Sequence, residues 1–420
     1  MSDLHVKYLI AGGGLAGSEA AKAIREIDRQ GDLLMVGQEI NRPYHRPPLS
    51  KEFLIGKQGR DAIFVMPSEW FVENHVQLRT GRRLSSLDTT RNTATLDSGE
   101  GVSFDRLLIA TGGGAAPLDA PGAELPNLFY LRTLADAEVL QHAMMKARRE
   151  GQVHEKGRGR AVVIGSGVLG VELAGSLTQM GLHVDLAVSG NFPWGRFAGE
   201  ATGRCLSLFL ENHGVTVHSG DRVMRVEGDG RVQRVVLTSG KSIGCDFAVA
   251  ACGIQVHKEI LRGTPIAAEK AILVDAGCRT NVRGIFAAGD CAAVFDPLFG
   301  KHRMMQHWDS ASQTGRIAGI NMSGGDAKFE VASFFDSLVF GLKLGVWGEA
   351  RMVDRRIIRG TPSAESPEFI EIGVAADGRI AQVIAVGEVG STDVLARLVR
   401  ERVATNGKEE ELRDPGFALE

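Results

Sequence analysis

Two stretches of the chain share one pattern of hydrophobic and polar positions. In each, a short apolar run leads into a glycine-rich turn, then a segment with helical spacing, then a second apolar run. The first stretch covers residues 6–37 and the second covers residues 161–188. Short apolar runs bounded by glycine are typical of buried strands, and the longer segments have helical periodicity. Each stretch therefore predicts a βαβ unit, with the first helix over about residues 16–29.

Both turns have the spacing G-x-G-x-x-G. The first glycine allows the tight turn, the second lets the backbone approach a diphosphate, and the third lets helix and strand pack closely. The helix N-terminus behind the turn favours negative charge. Two copies predict two bound dinucleotides, and the simplest reason to hold two is to pass electrons between them. The fingerprint positions are Gly12, Gly14, Leu15, Ala16 and Gly17 in the first copy, and Gly165, Gly167, Val168, Leu169 and Gly170 in the second.

An acidic residue about 20 residues beyond such a turn ordinarily binds a ribose hydroxyl. Glu39 has this place after the first turn, and Gln38 could substitute for it. The alternative is that Glu39 is a solvated turn residue. After the second turn the strand ends at Val188 without a carboxylate for a 2′-hydroxyl or an arginine for a 2′-phosphate. The choice between NADH and NADPH therefore stays open.

The rest of the chain alternates strand and helix patterns. Prolines after residue 116 mark a linker, and Gly324-Gly325 marks a boundary. Predicted elements are strands over 76–110, helices over 134–149 and 310–322, strands over 369–374 and 380–386, and a helix over 392–403. We predict an α/β protein with a nucleotide domain over 1–116 and 253–324, a second nucleotide domain over 117–252 inserted into it, and an α+β domain over 325–420.

Composition excludes several classes of protein. Of 420 residues, 44% are hydrophobic and 24% are charged, as in ordinary globular chains with two or three domains. The net charge of −3 gives no reason to expect nucleic acid or a membrane as partner. No apolar stretch approaches the roughly 20 residues that cross a bilayer. The N-terminus leads directly into the first strand, so we expect the cytoplasm.

Cysteine and histidine usage narrows the chemistry. The five cysteines include no C-x-x-C pair, which favours a reducing compartment. Residues 41–51, where related flavoproteins often carry a redox cysteine, contain none, so we do not expect disulfide reduction through a thiol. The histidines lack paired metal-ligand spacing, so we expect no metal.

Further motifs resemble the FAD-dependent pyridine nucleotide oxidoreductases of the ferredoxin reductase type, the family of putidaredoxin reductase and apoptosis-inducing factor. The most specific stretch is residues 42–51, which is similar to the family's P-Y-x-R-P-P-L-S-K. The resemblance implies two Rossmann-like domains of the glutathione reductase type, with FAD in the first and NAD(H) or NADP(H) in the second. The other matching motifs are Ala110-Thr111-Gly112, Leu131-Arg132-Thr133, Ala288-Gly289-Asp290 and Leu412-Arg413-Asp414-Pro415.

The resemblance implies roles around FAD. Arg46, followed by Pro47, and Arg132 would neutralise its diphosphate and hold the adenine half. Backbone at Ala110, Thr111 and Gly112 would pass close to the cofactor. Asp290, after Gly289, would accept a bond from the ribityl chain; alternatively it caps a helix starting at Ala292.

The resemblance also implies roles around the reacting rings. Lys51 would lie beside flavin N5 with Glu172 as its partner, and this pair would stabilise the reduced flavin. The alternative is that the two are unrelated surface charges. Val168 and Leu169 would lie against the nicotinamide, with Gly253 near its ribose.

Two segments depart from the family pattern. Gln306-His307-Trp308 carries glutamine where a glutamate is usual, and His307 is equally well a plain buried histidine. Residues 334–337 match the family's Phe-Trp-Ser-Asp, so Phe335 replaces a tryptophan expected beside the flavin. In the family this tryptophan lies near the electron exit, so its loss changes the surface expected to face the electron acceptor.

These features predict an NAD(P)H-dependent FAD reductase, a monomer or homodimer, that passes electrons to a small carrier, foremost a 2Fe-2S ferredoxin. A basic patch for that carrier is expected at Arg79, Arg82 and Arg83 or at Arg351, Arg355 and Arg356. The alternatives are a reductase of quinone, monodehydroascorbate or rubredoxin, and a flavin redox sensor like apoptosis-inducing factor.

Overall fold

The computed structural model describes residues 4–153, 157–405 and 407–419. The α-helices in this part of the chain are α1 (Leu15–Ile27), α2 (Ser68–Glu73), α3 (Leu134–Val153), α4 (Val168–Gln179), α5 (Glu200–Asn212), α6 (Trp308–Met322), α7 (Thr392–Arg400) and α8 (Glu409–Arg413). The predicted α/β class is confirmed.

The strands in this part of the chain are β1 (Leu4–Ala11), β2 (Leu33–Gly37), β3 (Val76–Thr80), β4 (Leu84–Asp88), β5 (Thr93–Leu96), β6 (Gly101–Ile109), β7 (Gly113–Ala115), β8 (Leu128–Tyr130), β9 (Arg160–Ile164), β10 (His183–Val188), β11 (Val215–Ser219), β12 (Val223–Glu227), β13 (Arg234–Leu237), β14 (Ser242–Gly244), β15 (Phe247–Ala250), β16 (Ile254–Val256), β17 (Ile272–Val274), β18 (Ile285–Ala287), β19 (Ala292–Asp296), β20 (Lys301–Met304), β21 (Phe334–Val339), β22 (Leu342–Gly348), β23 (Arg355–Thr361), β24 (Glu368–Val374) and β25 (Ile380–Val386).

The described residues divide into two compact units. The first comprises those of Met1–His45, Arg60–Gly114 and Ile254–Ser333, and the second those of Arg46–Gly59, Ala115–Gly253 and Phe334–Glu420. The predicted limits of three domains stay a prediction.

The first unit is built on a seven-stranded sheet. Its order is β3-β2-β1-β6-β5-β4, and β18 also pairs with β6. Strands β1, β2, β3, β6 and β18 run parallel, whereas β4 and β5 are antiparallel. Strand β2 is buried over its whole length, because apolar side chains on both faces of a parallel sheet are covered. The first glycine turn therefore follows directly on the carboxyl end of a strand, β1, that lies in the hydrophobic core.

Close packing of α6 on α1 brings two distant parts of the first unit to this turn. A Cβ on Gly315 of α6 would lie 2.2 Å from the Ala16 carbonyl oxygen, and one on Gly319 would lie 2.4 Å from that of Ala20. Only glycine permits this approach of helix backbones. Gly289, with φ of +74°, likewise packs against Ala16.

The segment after Asp290 is a strand, β19, where helix capping was the alternative interpretation. Strand β19 pairs with β17 and β20. Apolar residues 292–294 are buried in this small sheet, so burial decided the conformation. A cap for a following helix is therefore not the role of Asp290.

A buried ion pair fastens the β19–β20 hairpin. Arg303 donates to Asp296 over 2.5 Å and to Ser333 Oγ over 2.8 Å, and both charged side chains are at most 4% exposed. We expect Asp296→Ala to lower the free energy of unfolding by about 3–5 kcal/mol, because it leaves the Arg303 charge buried without its partner.

Urea unfolding of the purified protein measures this effect. Glu26→Ala is the control, since Glu26 pairs with Arg316 on the surface and such pairs contribute about 1 kcal/mol or less. A loss below about 1 kcal/mol for Asp296→Ala would show that the pair does not stabilise the hairpin.

The second unit contains a parallel sheet and an antiparallel one. The parallel sheet has the order β11-β10-β9-β15-β8 and is overlaid by the small sheet β12-β13-β14. Its four leading strands repeat the order β3-β2-β1-β6 of the first unit. The antiparallel sheet has the order β21-β22-β25-β24-β23, and α7 packs on β25 and β22.

Candidate functional site

The first glycine turn leaves open space at one position only. Gly12 has φ of +142°, and a Cβ there would lie 2.0 Å from the Ala110 carbonyl oxygen. A Cβ on Gly17 would lie 2.2 Å from the Gly12 oxygen. By contrast, no described atom lies within 4 Å of the Cβ position of Gly14. The outer glycines are thus required by the fold, and the middle one borders empty space.

The second turn repeats this arrangement. Gly165 has φ of +104°, and its Cβ would lie 2.5 Å from the Ala251 oxygen. A Cβ on Gly170 would lie 1.9 Å from the Gly165 oxygen, whereas nothing described lies within 4 Å of the Cβ position of Gly167. Both turns therefore share one geometry.

The helix behind each turn is prepared for an anion. Gly14 is the N-cap of α1 and Gly167 is the N-cap of α4, and neither helix has a side-chain cap or an acidic residue in its first turn. The first amides of a helix have no partner within the helix and carry a positive partial charge. A dinucleotide diphosphate fits both turns, because open space, amide donors and the absence of competing carboxylates coincide.

The two turns differ where the ribose acid is expected. In the first unit Ala11, the last residue before the turn, pairs with Val36, and Glu39 lies three residues after Val36. In the second unit Ile164, the last residue before the turn, pairs with Ala187. Gly190, three residues after Ala187, is therefore the position equivalent to Glu39. Tyr44 donates its hydroxyl to Glu39. Gln38 is exposed, whereas Val188 is fully buried and the residues after it are exposed.

Other predicted residues of the first unit surround the first turn. Thr111 Oγ1 donates to the His257 carbonyl oxygen over 3.2 Å, and Gly112 has φ of +61°. Gly289 packs against Ala16, which brings Asp290 to the same end of the sheet. The first unit thus brings together Gly12, Gly14, Leu15, Ala16, Gly17, Gln38, Glu39, Ala110, Thr111, Gly112, Gly289 and Asp290.

The start of α6 holds Gln306, His307 and Trp308. The Trp308 indole donates to His45 Nδ1 over 3.0 Å, and burial lowers the pKa of His45, which keeps that nitrogen an acceptor. The amide nitrogen of Gln306 and the hydroxyl of Ser310 are buried without a hydrogen-bond partner. Such atoms ordinarily find partners, so these two are available to a ligand. Sequence reasoning missed His45 and Ser310, because a single polar residue in a motif has no distinguishing pattern.

In the second unit, Lys51 and Glu172 form the predicted pair. Lys51 Nζ lies 3.1 Å from Glu172 Oε1, with side chains 16% and 5% exposed. Burial raises the pKa of Glu172, and the Lys51 charge opposes this effect. The alternative of two unrelated surface charges is wrong, since the carboxylate is buried against the ammonium.

The two predicted arginines share a contact in this unit. Arg46 donates to the Arg132 carbonyl oxygen over 2.5 Å. Thr133 and Asp136 form reciprocal bonds that cap α3, and Asp136 also accepts the Arg132 amide. These bonds hold the backbone at Arg132 in place and connect it to the Arg46 side chain. Pro47, the residue after Arg46, begins a short 3-10 helix.

An aromatic cluster lies beside the second turn. Trp194 donates its backbone amide to Ser166 of the turn over 2.9 Å and has φ of +62°. Its ring contacts Phe335 and Phe197, with centroids 5.9 and 6.2 Å away. Phe335, which replaces the expected tryptophan, thus packs against a tryptophan from another segment.

The second unit therefore holds the remaining predicted positions. Val168 and Leu169 form the first turn of α4, and the Gly253 carbonyl oxygen accepts the Ala116 amide. The predicted residues in this unit are Arg46, Pro47, Lys51, Arg132, Gly165, Gly167, Val168, Leu169, Gly170, Glu172, Gly253 and Phe335.

The two expected basic patches differ in their pairing. Arg351, Arg355 and Arg356 each pair with a carboxylate, from Glu349, Glu409 and Glu371. In the other patch Arg79 pairs with Glu100, and no ion pair within the described residues involves Arg82 or Arg83. Positive charge is therefore better preserved at residues 79–83.

Thiols, possible metal ligands and helix lengths among the described residues bear on other functions. Burial raises the pKa of all five thiols, that of Cys245 to about 12, so each stays protonated and unreactive. The described residues contain no cluster of three or more His, Cys, Asp or Glu side chains suited to a metal ion. None of the described helices is long and apolar enough to cross a membrane.

The fold and the two turns define an α/β protein with two dinucleotide-binding sheets. Residues 6–315 match the family model described as pyridine nucleotide-disulphide oxidoreductase. The chain belongs to this family. Its members use FAD and a pyridine nucleotide, so the expectation of these two cofactors is confirmed.

Relatives match along nearly the whole chain. The ferredoxin–NAD(+) reductase component of the biphenyl dioxygenase system of Paraburkholderia xenovorans (strain LB400) is 30% identical over 411 residues, 98% of this chain and 96% of that protein. Among solved structures, the ferredoxin reductase of the CYP199A2 system from Rhodopseudomonas palustris has a TM-score of 0.90 at 27% identity, covering 98% of each chain. The reductase in the covalent putidaredoxin reductase–putidaredoxin complex has a TM-score of 0.88 at 25% identity, covering 97% of this chain and 96% of that one. The resemblance to the ferredoxin reductase type is confirmed.

Proposed function

We propose that this chain is an NAD(P)H-dependent FAD reductase that passes electrons to a small 2Fe-2S ferredoxin. The observation that carries the proposal is the pair of equivalent turns, each open only at its middle glycine. Two of the relatives described above, matched over 96% and 98% of their own length, are ferredoxin reductases, which supports ferredoxin as the acceptor. The five protonated, unpaired cysteines support the cytoplasm as its location.

In this proposal the first turn holds the FAD diphosphate. Glu39 accepts a ribose hydroxyl, and backbone at residues 110–112 approaches the cofactor. Asp290 accepts a hydrogen bond from its polyol chain, and Arg46 and Arg132 supply compensating charge. Bound FAD supplies the redox chemistry, because it accepts a hydride and releases electrons singly.

The second turn holds the pyridine nucleotide. Its diphosphate lies on the N-terminus of α4, and Val168 and Leu169 present apolar side chains to the nicotinamide. Lys51 contributes a fixed positive charge that stabilises the negative charge of the reduced cofactor. Glu172 holds the Lys51 ammonium in place.

We also propose three domains. The FAD domain comprises residues 1–116 and 253–324, the pyridine nucleotide domain comprises residues 117–252, and the C-terminal domain comprises residues 325–420.

An acceptor comparison tests this function. Purified protein with FAD and NADH receives a 2Fe-2S ferredoxin, a rubredoxin or a soluble quinone, and reduction of cytochrome c or of the quinone is followed. We expect ferredoxin to raise turnover at least about tenfold over either competitor, which corresponds to about 1.4 kcal/mol. Faster turnover with rubredoxin or quinone would favour those substrates, and reoxidation by none of the three would favour a redox sensor.

The strand end at Val188 yields a prediction about nucleotide choice. Because no acid selects the 2′-hydroxyl and no arginine selects the 2′-phosphate, we expect kcat/KM for NADH and NADPH to agree within about tenfold. Gly190 is exposed and has the place that Glu39 has in the first unit. Gly190→Glu therefore adds a ribose acceptor that repels the 2′-phosphate, and NADH should become favoured by a further factor of about ten, or about 1.4 kcal/mol.

Steady-state kinetics with both nucleotides measures this preference. Gly190→Gln is the control, because it adds similar volume without charge. A wild-type preference above about a hundredfold would show that another group selects the nucleotide.

A further inference from the structure

One face of α4 carries three small or polar residues. Glu172, Gly175 and Ser176 are spaced i, i+3 and i+4, so they lie on the same side. A Cβ on Gly175 would lie 2.7 Å from Val339 Cγ2 of β21. Glycine therefore lets β21 approach this face of the helix closely.

The approach delivers a hydroxyl to the buried carboxylate. Ser337 of β21 donates to Glu172 Oε1 over 2.9 Å, and this oxygen also accepts Lys51 Nζ. Ser50 donates its hydroxyl to Glu172 Oε2 over 2.5 Å, and the Ser176 hydroxyl donates to the Ser50 carbonyl oxygen over 2.6 Å. All three serines are at most 4% exposed. Both carboxylate oxygens thus have donors, and the carboxylate itself is 5% exposed.

We propose that Ser337 is a positioning residue, which keeps Glu172 ionised and its Oε1 directed at Lys51, so that the ammonium stays charged and fixed for the reaction. The proposal rests on the function proposed above. It assigns a role to a residue of the C-terminal sheet, at the place where the family motif has an aspartate. Ser337 supplies a donor at that place instead of a second carboxylate.

The physical reason lies in the cost of a buried anion. Burial raises the pKa of Glu172, and Lys51, Ser50 and Ser337 oppose this effect. Lys51, from the distant segment Arg46–Gly59, is the charged group that faces the carboxylate. On β21 the neighbouring Asp336 is exposed. Hydrogen bonds to a charged group are stronger than those between neutral groups, so loss of the Ser337 hydroxyl should raise the pKa of Glu172 further.

The experiment follows flavin reduction by NADH in the holoenzyme between pH 5 and pH 9. We call the fall of the reduction rate at low pH the acidic limb of the profile. In Ser337→Ala the midpoint of this limb should move up by about one pH unit, so that rates at pH values below the midpoint fall about tenfold. Rates at high pH should stay within about twofold of the wild type. Ser337→Thr keeps a hydroxyl and should restore the wild-type limb. Ser207→Ala is the control, since Ser207 donates only to a carbonyl oxygen within its helix.

Thermal unfolding gives a second readout that does not depend on turnover. A folded-state pKa raised above the unfolded value makes the folded state bind more protons, so stability falls as pH rises through that pKa. Ser337→Ala should therefore increase the unfolding equilibrium constant about tenfold at pH 8 and much less at pH 5. A purely structural role would give the same loss at both pH values.

The outcomes separate this inference from the proposed function. A limb in Ser337→Ala that coincides with the wild type, or a loss equal at every pH, overturns the role of Ser337 alone. A wild-type protein whose flavin NADH does not reduce overturns the proposed function and this inference with it. A shifted limb restored by threonine supports both.

Discussion

Valine at Gly14 is expected to abolish FAD binding and to spare pyridine nucleotide binding, and valine at Gly167 is expected to do the reverse. Both glycines have extended backbone, with φ of −100° and −72°, which valine adopts without strain. No described atom lies within 4 Å of either Cβ position. The new side chain therefore occupies only the space that a diphosphate needs, and we expect each dissociation constant to rise at least about a hundredfold, or about 2.7 kcal/mol.

Calorimetry with each nucleotide on each apo-variant measures these constants, and circular dichroism checks the fold. Gly17→Val and Gly170→Val are the contrasting variants, because their side chains would collide with backbone oxygens and should unfold the protein. If Gly14→Val loses the pyridine nucleotide and keeps FAD, the two turns are assigned in reverse. If neither variant loses a ligand, the turns bind no diphosphate.

Lys51→Met is expected to slow flavin reduction by NADH about a hundredfold, because electrostatic stabilisation by one preorganised donor contributes about 10²–10³ in rate. The same change leaves Glu172 buried without its cation. We therefore expect reduced stability, eased by protonation of a carboxyl group whose pKa burial already raises.

The double variant Lys51→Met with Glu172→Gln separates the two effects. Removal of both charges should recover stability, because no uncompensated ion remains, but should not recover the rate. Lys57→Met, an exposed lysine in the same segment, is the control. Stopped-flow absorbance and thermal unfolding provide the two measurements. A reduction rate within about twofold of wild type in Lys51→Met would remove this lysine from the reaction.

Regular elements were predictable wherever local pattern and tertiary burial agree. Strand β25 was predicted over 380–386 and is found at Ile380–Val386, because its apolar run is buried on both faces. Helix α6 begins at Trp308, two residues before the predicted start. Residues 292–294 form a strand, since pairing with β17 and β20 decided between conformations that local sequence allows equally.

The site was predictable only in part. Glycine spacing predicts the two turns from local stereochemistry alone, because a positive φ and a close backbone approach leave glycine as the suitable residue. The Lys51–Glu172 pair joins segments 121 residues apart and was expected only from the family resemblance. Ser50 and Ser337 lie in segments that match family motifs, but their roles had no detectable signal, since a hydroxyl acquires its role from the carboxylate that the fold brings to it.

Anaerobic titration of the purified protein with NADH measures directly whether the nucleotide at the second turn reduces a flavin bound at the first. We expect a yellow protein with one FAD per chain, whose flavin absorbance is bleached by one equivalent of NADH. In Gly167→Val this bleaching should disappear although FAD remains bound. A protein that takes up no FAD, or a wild-type flavin that stays oxidised under excess NADH and NADPH, would rule out electron transfer between two bound dinucleotides.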